Sequence, residues 1–118
     1  MLHDPRAYLW DVQQAAEAID RFTAGLDAAS YVQNALVQAA VERQFEIIGE
    51  ALNRLSKVAP DLAERVPDLR AIIGFRNVLI HGYAVVDHGR VWHIRETLLP
   101  ELHSAVSALL ADLGSPDA

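Results

Sequence analysis

Residues 31–57, with the sequence YVQNALVQAAVERQFEIIGEALNRLSK, form the longest helical pattern in the chain. Its apolar side chains recur at helical spacing but cover more than one face: Val32, Leu36, Ala39, Ala40, Phe45, Ile48, Ala51, Leu52 and Leu55. A helix that is apolar over so wide an arc is buried on several sides. The pattern therefore predicts a central helix, and its spare apolar surface suggests that a second subunit shares it.

A first helix is predicted before this segment. Asp4 is a capping side chain, and Pro5 suits the first position of a helix. The apolar stripe that follows predicts a helix that runs to about Leu26. Ser30, with Gln33 three residues later, has the spacing of a capping box and is expected to start the central helix.

The chain after the central helix divides into shorter helical segments. Residues 59–61 (Ala-Pro-Asp) interrupt the pattern, and residues 61–65 are expected to form one short turn of helix. Residues 66–68 (Val-Pro-Asp) restart a helix, and Gly82 is a plausible stop for it.

The last helical pattern begins at His88, after a linker at residues 85–87, and contains Pro100. A proline inside a helix removes a hydrogen bond and clashes with the preceding turn, so Pro100 should kink this helix or split it in two. No strand pattern, glycine-rich loop or repeat competes with helix. The sequence predicts an all-α antiparallel bundle of four or five helices, with one domain over residues 1–113 and a disordered tail at residues 114–118.

Length and composition limit the class of protein. A chain of 118 residues with 52% hydrophobic content is long enough to bury a core as a single domain. The absence of cysteine excludes disulfides, thiolate metal sites and a thiol nucleophile. No apolar run approaches the roughly 18 residues that span a bilayer, and the first residues do not have the pattern of a signal peptide. We expect a soluble, cytoplasmic protein that does not bind a membrane.

The net charge of −6 argues against a protein that coats nucleic acid with a basic surface. The charge is unevenly distributed, however. Residues 68–103 carry four arginines against four acidic side chains, and four of the five histidines lie in the same segment. A polyanion would therefore approach this segment, with help from a second subunit.

The octapeptide Arg76-Asn77-Val78-Leu79-Ile80-His81-Gly82-Tyr83 carries the most chemistry in the chain. Arginine presents a planar fork of donors that suits phosphate oxygens. Histidine, with an unperturbed pKa of about 6.5, exchanges protons near neutral pH. A charge clamp and a proton shuttle are together what phosphodiester cleavage needs.

Helical geometry separates the two main groups of this octapeptide. Arg76 and Tyr83 share one face, and Asn77 and His81 share the adjacent one. Arg76 and His81 lie about 140° apart, so one straight helix cannot easily aim both at one atom. Either the helix loosens near Gly82, or a two-fold axis brings a second copy alongside, which we favour. Alternatively, Arg76 pairs with a carboxylate while His81 only caps a helix end.

Other polar residues are weaker candidates. Glu46 and Glu50 lie one turn apart on the central helix, and one of them could hold Arg76 or orient His81. They could equally form the polar edge of that helix.

The remaining histidines give no reason to expect a metal. His88 and His93 are five residues apart, which is poor spacing for two ligands on one helix, and no HExxH pattern occurs. We expect neither a metal nor another cofactor.

The motif Arg76-x4-His81-x-Tyr83 resembles the R-x(4–6)-H-x-Y signature of the HepT-like members of the HEPN superfamily. Residues 45–51 (FEIIGEA) resemble the central-helix segment of that family, and residues 73–77 its lead-in to the motif. Residues 91–92 and 98–100 are similar to its last helix. The resemblance covers nearly the whole chain.

This resemblance implies an α-helical homodimer in which two motifs face each other in a cleft. It implies a metal-independent endoribonuclease, the toxin of a type II/VII-like pair whose antitoxin is a nucleotidyltransferase of the MNT type. His81 would be the acid–base and Arg76 the phosphate clamp, while Asn77 would orient the RNA substrate or His81. Tyr83 would be the tyrosine to which the antitoxin adds AMP. Alternatively, the chain is a non-catalytic helical module that binds the nucleotidyltransferase, or a structural helical dimer.

Overall fold

The computed structural model describes residues 4–81 and 86–114, and all regular secondary structure in these two ranges is helical. This confirms the predicted all-α class for that part of the chain, although it contains seven helices, two of them single turns, where four or five were predicted. The seven helices are α1 (Pro5–Phe22), α2 (Ala28–Tyr31), α3 (Ala35–Val58), α4 (Pro60–Ala63), α5 (Leu69–Ile80), α6 (His88–Thr97) and α7 (Leu99–Leu113). The helix stop predicted at Gly82 and the tail after Gly114 lie outside the described residues.

Helix α1 starts where the sequence predicts but ends earlier. The Asp4 carboxylate accepts a hydrogen bond from the backbone N–H of Arg6 at 2.9 Å and caps the helix. The expected end at Leu26 is wrong, because α1 stops at Phe22. The Thr23 hydroxyl donates to the carbonyl of Ile19 at 2.8 Å. Gly25 then takes a φ of 78°, a left-handed conformation that ends the helical path.

The start of the central helix also differs from the prediction. Ser30 forms a capping box, but its partner is Asp27, and the box caps the single turn α2. Since the Ser30 side chain is engaged with Asp27, the predicted pairing of Ser30 with Gln33 is wrong. The central helix α3 begins at Ala35, where the Asn34 side chain accepts from a backbone N–H in the first turn.

Helix α3 occupies the centre of the described fold. It packs against α1 on one side and α5 on another, and α1 also packs against α7. The largest completely buried side chains come from α1, α2, α3, α6 and α7: Tyr31, Leu9, Ile19, Ile48, Leu52, Leu55, Leu99, Leu102, Val12, Val41, Val91 and Val106. At the start of α3, Leu36 is 82% exposed in the single chain, so part of the predicted apolar arc faces solvent.

The short helix α4 and the proline positions agree with the sequence, whereas the single turn α2 was not predicted. A single turn, α4, occurs at Pro60–Ala63, and α5 begins after Asp68. Pro100 divides the last helical pattern into α6 and α7 and stands in the first turn of α7, where no intrahelical donor is required. Within the two described ranges, no helix combines the length and apolarity of a membrane span.

Candidate active site

The position of Arg76 is set by a close approach between α3 and α5. A Cβ atom built on Gly49 would lie 2.6 Å from Cγ of Arg76 and 3.5 Å from its Cα, with the Cβ of Arg76 nearer still. Only glycine allows α5 to come this close to α3. A glycine inside a helix costs about 1 kcal/mol relative to alanine. The close packing of Arg76 against position 49 explains why glycine occurs there despite that cost.

The guanidinium of Arg76 is held by two neighbours. Its Nη2 donates to Oε2 of Glu50 at 2.5 Å, and its Nη1 donates to Oδ1 of Asn77 at 2.8 Å. The Arg76 side chain is still 23% exposed. The arginine is therefore fixed in orientation while solvent, and hence a solute, can reach it.

Glu50 is shared between two arginines. Its Oε1 accepts from Nε of Arg54, one turn further along α3, at 2.8 Å. The pKa of the Glu50 carboxyl is lowered, mainly by this hydrogen bond and then by the charges of Arg76, Arg54 and Lys57, although partial burial opposes the shift. The carboxylate is thus ionised at neutral pH and is outnumbered by the cations around it.

Glu46 belongs to a different contact. Its carboxylate lies 3.6 Å from Nη1 of Arg43, and both side chains line a groove between α1 and α3. Glu50 and Arg54 line the same groove, whose volume is about 390 Å³. Of the two carboxylates considered from the sequence, Glu50 is the one that contacts Arg76.

His81 lies at the other side of α5. It is the C-cap residue of α5, and its backbone N–H donates to the carbonyl of Asn77 at 3.1 Å. The exposed residue borders a cavity of about 770 Å³ between α5, α6 and α7. The cavity lining is mostly apolar and consists of Phe45, Ala71, Ile72, Gly74, Phe75, Val78, His81, Val86, Asp87, Arg90, Ile94, Leu98, Leu99 and Leu102.

The sequence candidates therefore form one group and one separate residue. Arg76, Asn77 and Glu50 meet on the α3 side of α5, whereas His81 faces the cavity toward α6. Asn77 connects the two regions, since its side chain contacts Arg76 and its backbone carbonyl accepts from His81. Tyr83 lies outside the described residues. In the described ranges, no group of three histidine or carboxylate side chains is arranged to hold a metal ion.

Two residues of the Arg76 group were not singled out from the sequence. Gly49 matters because of the atoms that face it, and Arg54 because it shares a carboxylate with an arginine from another helix. A glycine in the middle of a long helical pattern was the available signal for the first. The i,i+4 spacing of Glu50 and Arg54 was the available signal for the second, although such pairs are common on helix surfaces.

Comparison with known proteins identifies the family of the chain. The family model described as "Ribonuclease HepT-like" matches residues 12–109. Relatives include two proteins of Methanocaldococcus jannaschii. The protein named "Putative RNase MJ1216" is 29% identical over 97% of this chain and 93% of its own length, and "Putative RNase MJ1380" is 31% identical over 87% and 94%. The "Probable ribonuclease HepT" of Thermococcus cleftensis is 31% identical over 86% of this chain and 92% of its own length. No solved structure matches the chain. Because the family model spans most of the chain and the relatives align over almost their whole lengths, the chain belongs to the HepT-like ribonuclease family.

Proposed function

We propose that the chain is a metal-independent RNA endonuclease that acts as the toxin of a toxin–antitoxin pair, with Arg76 and His81 as its catalytic residues. The observation that carries this proposal is the state of Arg76. Its guanidinium is oriented by Glu50 and Asn77 but remains exposed at one side. Preorganised donors aimed at developing negative charge are a main source of catalysis in acyl and phosphoryl chemistry. Membership of the HepT-like family and the names of the relatives support the same reaction class.

In the proposed reaction the 2′-hydroxyl of the RNA attacks the adjacent phosphorus. A bond forms between O2′ and phosphorus, and the bond from phosphorus to the 5′-oxygen breaks. His81 accepts the proton of the 2′-hydroxyl, and an imidazolium returns a proton to the leaving 5′-oxygen. Arg76 stabilises the charge on the non-bridging phosphate oxygens.

In this proposal a second copy of the chain completes the site. Arg76 contacts α3 and His81 borders the cavity toward α6, and five residues on a helix place them about 140° apart. On the same helix, Val78 is 63% exposed and Ile80 41% exposed. Two apolar side chains of this kind favour contact with another apolar surface. In the proposed homodimer, Arg76 of one chain and His81 of the other face the same RNA strand.

The proposed control is a modification of Tyr83 by a nucleotidyltransferase antitoxin of the MNT type. Addition of AMP would bring a negative charge and a bulky group two residues from His81. Such a group repels the RNA backbone and blocks access to the proposed cleft.

A paired substitution tests the catalytic part of this proposal. General acid–base help from one histidine contributes about 10²–10⁴ in rate, so His81→Ala should lose that factor in RNA cleavage and should no longer arrest growth. His93→Ala, at an exposed position of α6, is the matched control and should cleave like the wild type. Cleavage by the wild type should persist in EDTA. A His81→Ala protein that folds normally and retains wild-type cleavage and toxicity would remove the catalytic role of His81.

The acidic balance of the chain favours a second candidate function. In this alternative the net charge of −6 and the neutralisation of part of the Arg76 charge by Glu50 make RNA affinity negligible. The chain would then be a non-catalytic module that docks the nucleotidyltransferase and presents Tyr83. This function predicts a mass increase of one AMP when the chain is incubated with the antitoxin and ATP, absent in Tyr83→Phe, together with no cleavage of any RNA. No AMP addition, with Tyr83→Phe behaving as wild type, would exclude it.

A further inference from the structure

Two arginines from different helices converge on one carboxylate. Arg76 of α5 binds Oε2 of Glu50, and Arg54 of α3 binds Oε1 of the same group. The two guanidinium groups are therefore held one carboxylate apart. Arg76 takes part in the proposed reaction, whereas nothing in that reaction uses Arg54.

The charge around Glu50 is not balanced. Two guanidinium groups share a single carboxylate, and the charge of Lys57 also acts on Glu50. A local cationic excess stands out on a chain with a net charge of −6. An arginine carries five N–H donors; those of Arg76 serve Glu50 and Asn77 and those of Arg54 serve Glu50 and Tyr8, which occupies only part of them on each guanidinium. Both groups can thus bind an additional anion without leaving Glu50.

Arg54 also stands where a strand leaving Arg76 could pass. Its side chain is 56% exposed and lines the groove of about 390 Å³ between α1 and α3, together with Glu50. Arg43 lines the same groove three turns of α3 away, so the groove follows the helix for roughly 16 Å. Asp11 and Glu46 also line the groove, and the Glu46 carboxylate lies 3.6 Å from Arg43, so the part of the groove that favours a phosphate is its Arg54 end, next to the Arg76 group.

We propose that Arg54 is a second phosphate-binding residue of the site, and that Glu50 holds Arg54 and Arg76 at the spacing of two phosphates of one RNA strand. This inference rests on the proposed ribonuclease function and names the part of the substrate that Arg54 contacts. The simpler view is that Glu50 and Arg54 form an ordinary i,i+4 pair on a helix surface. The two views differ in one measurable respect, since only the first makes Arg54 release counterions from RNA.

The test is the salt dependence of RNA binding in proteins that cannot cleave. Arg54→Gln and Arg65→Gln are each made in the His81→Ala background and titrated with a single-stranded RNA at several salt concentrations. Loss of one phosphate contact to a single strand reduces the slope of log K against log[salt] by about 0.7. We expect that reduction, and several-fold weaker binding at low salt, for Arg54→Gln. Arg65→Gln removes the same charge at an arginine whose nearest acid, Asp112, is 3.9 Å away, and should keep the slope.

A third variant separates charge from shape. Arg54→Lys keeps a cation and should keep most of the slope, whereas a merely structural role of Arg54 predicts equal slopes in all variants. If the wild type cleaves RNA but Arg54→Gln and Arg65→Gln give equal slopes, the inference is overturned and the proposed function stays intact. Absence of RNA cleavage by the wild type and of RNA binding in every variant would overturn both. Because Arg54 is largely exposed on a helix, glutamine there should not disturb the fold, and circular dichroism checks this.

Discussion

Gly49→Ala should destabilise the protein although alanine is the better helix former. The exchange alone favours the helix by about 1 kcal/mol. The new methyl group would lie 2.6 Å from Cγ of Arg76 and closer to its Cβ, with the Cα at 3.5 Å. The Cβ of Arg76 is bonded directly to the backbone of α5 and cannot rotate away, so α5 must move even if Cγ changes its rotamer. Overpacking of this kind costs about 1–3 kcal/mol. Since the overlap involves the first atoms of the side chain, we take the upper part of that range and expect a net loss of about 1–2 kcal/mol.

The assay is urea unfolding of Gly49→Ala beside Gly74→Ala, followed by RNA cleavage. Gly74 lies in α5, and apart from its two chain neighbours and the backbone of its own helix, no atom of the described residues comes within 4 Å of the position that an alanine methyl would take there. Alanine at this position should therefore add up to about 1 kcal/mol of stability. For a domain of this size, the expected loss in Gly49→Ala corresponds to a fall in Tm of roughly 4–8 °C. A displacement of Arg76 by about 1 Å should also reduce cleavage on the order of 10²-fold.

The opposite result would refute the reasoning. If Gly49→Ala were as stable as Gly74→Ala and cleaved RNA like the wild type, the contact between α3 and α5 would not be as close as the structure describes. Arg76 would then not owe its position to Gly49. A loss of activity without any loss of stability would mean that the helices adjust freely and that only the guanidinium is displaced.

Three further substitutions test other parts of the fold. Because the pKa of Glu50 is lowered below its ordinary 4.5, the folded state favours the ionised form of this carboxyl group. The wild type should therefore be more stable than Glu50→Gln above pH 4.5, and this difference should shrink as the pH falls through the lowered pKa. Urea unfolding at neutral and at acidic pH measures the difference. Equal pH profiles for the two proteins would contradict the ion pairs. Asn34→Ala removes the cap of α3 and should cost about 1 kcal/mol in the same assay, and a neutral result would mean that the cap is unimportant. Tyr31→Phe should leave the Tm unchanged or raise it, since the buried hydroxyl has no hydrogen-bond partner among the described residues; a clear fall would reveal such a partner.

Much of the fold follows from local chemistry that the sequence displays. Pro60 and Pro100 mark helix boundaries because proline lacks the donor that a helix interior needs, and both stand in the first turn of a helix. The errors lie where two local signals compete. Ser30 can serve either Asp27 or the following segment, and its partner is decided by the conformation of the connection after α1. Gly25 ends the apolar stripe of α1 through a backbone angle that the stripe itself does not encode.

The site is less accessible to sequence reasoning than the fold. The octapeptide identifies Arg76 and His81 by residue type, and helical geometry already places them on different faces. The role of Gly49 depends on which helix lies against it, and the sharing of Glu50 depends on the packing of α5 on α3. Both depend on contacts between residues that are far apart in the sequence. Spacing within one helix could suggest only that Glu50 and Arg54 are neighbours.

The most direct test of a site shared between two chains is to mix two inactive variants. In Arg76→Ala mixed with His81→Ala, random exchange makes half of the dimers mixed, and one of the two sites in each mixed dimer then has both groups intact. If Arg76 of one chain works with His81 of the other, the mixture should recover about a quarter of wild-type RNA cleavage, while each variant alone stays inactive. If mixed dimers form but no cleavage returns, the two residues do not act across a shared site and the central claim fails.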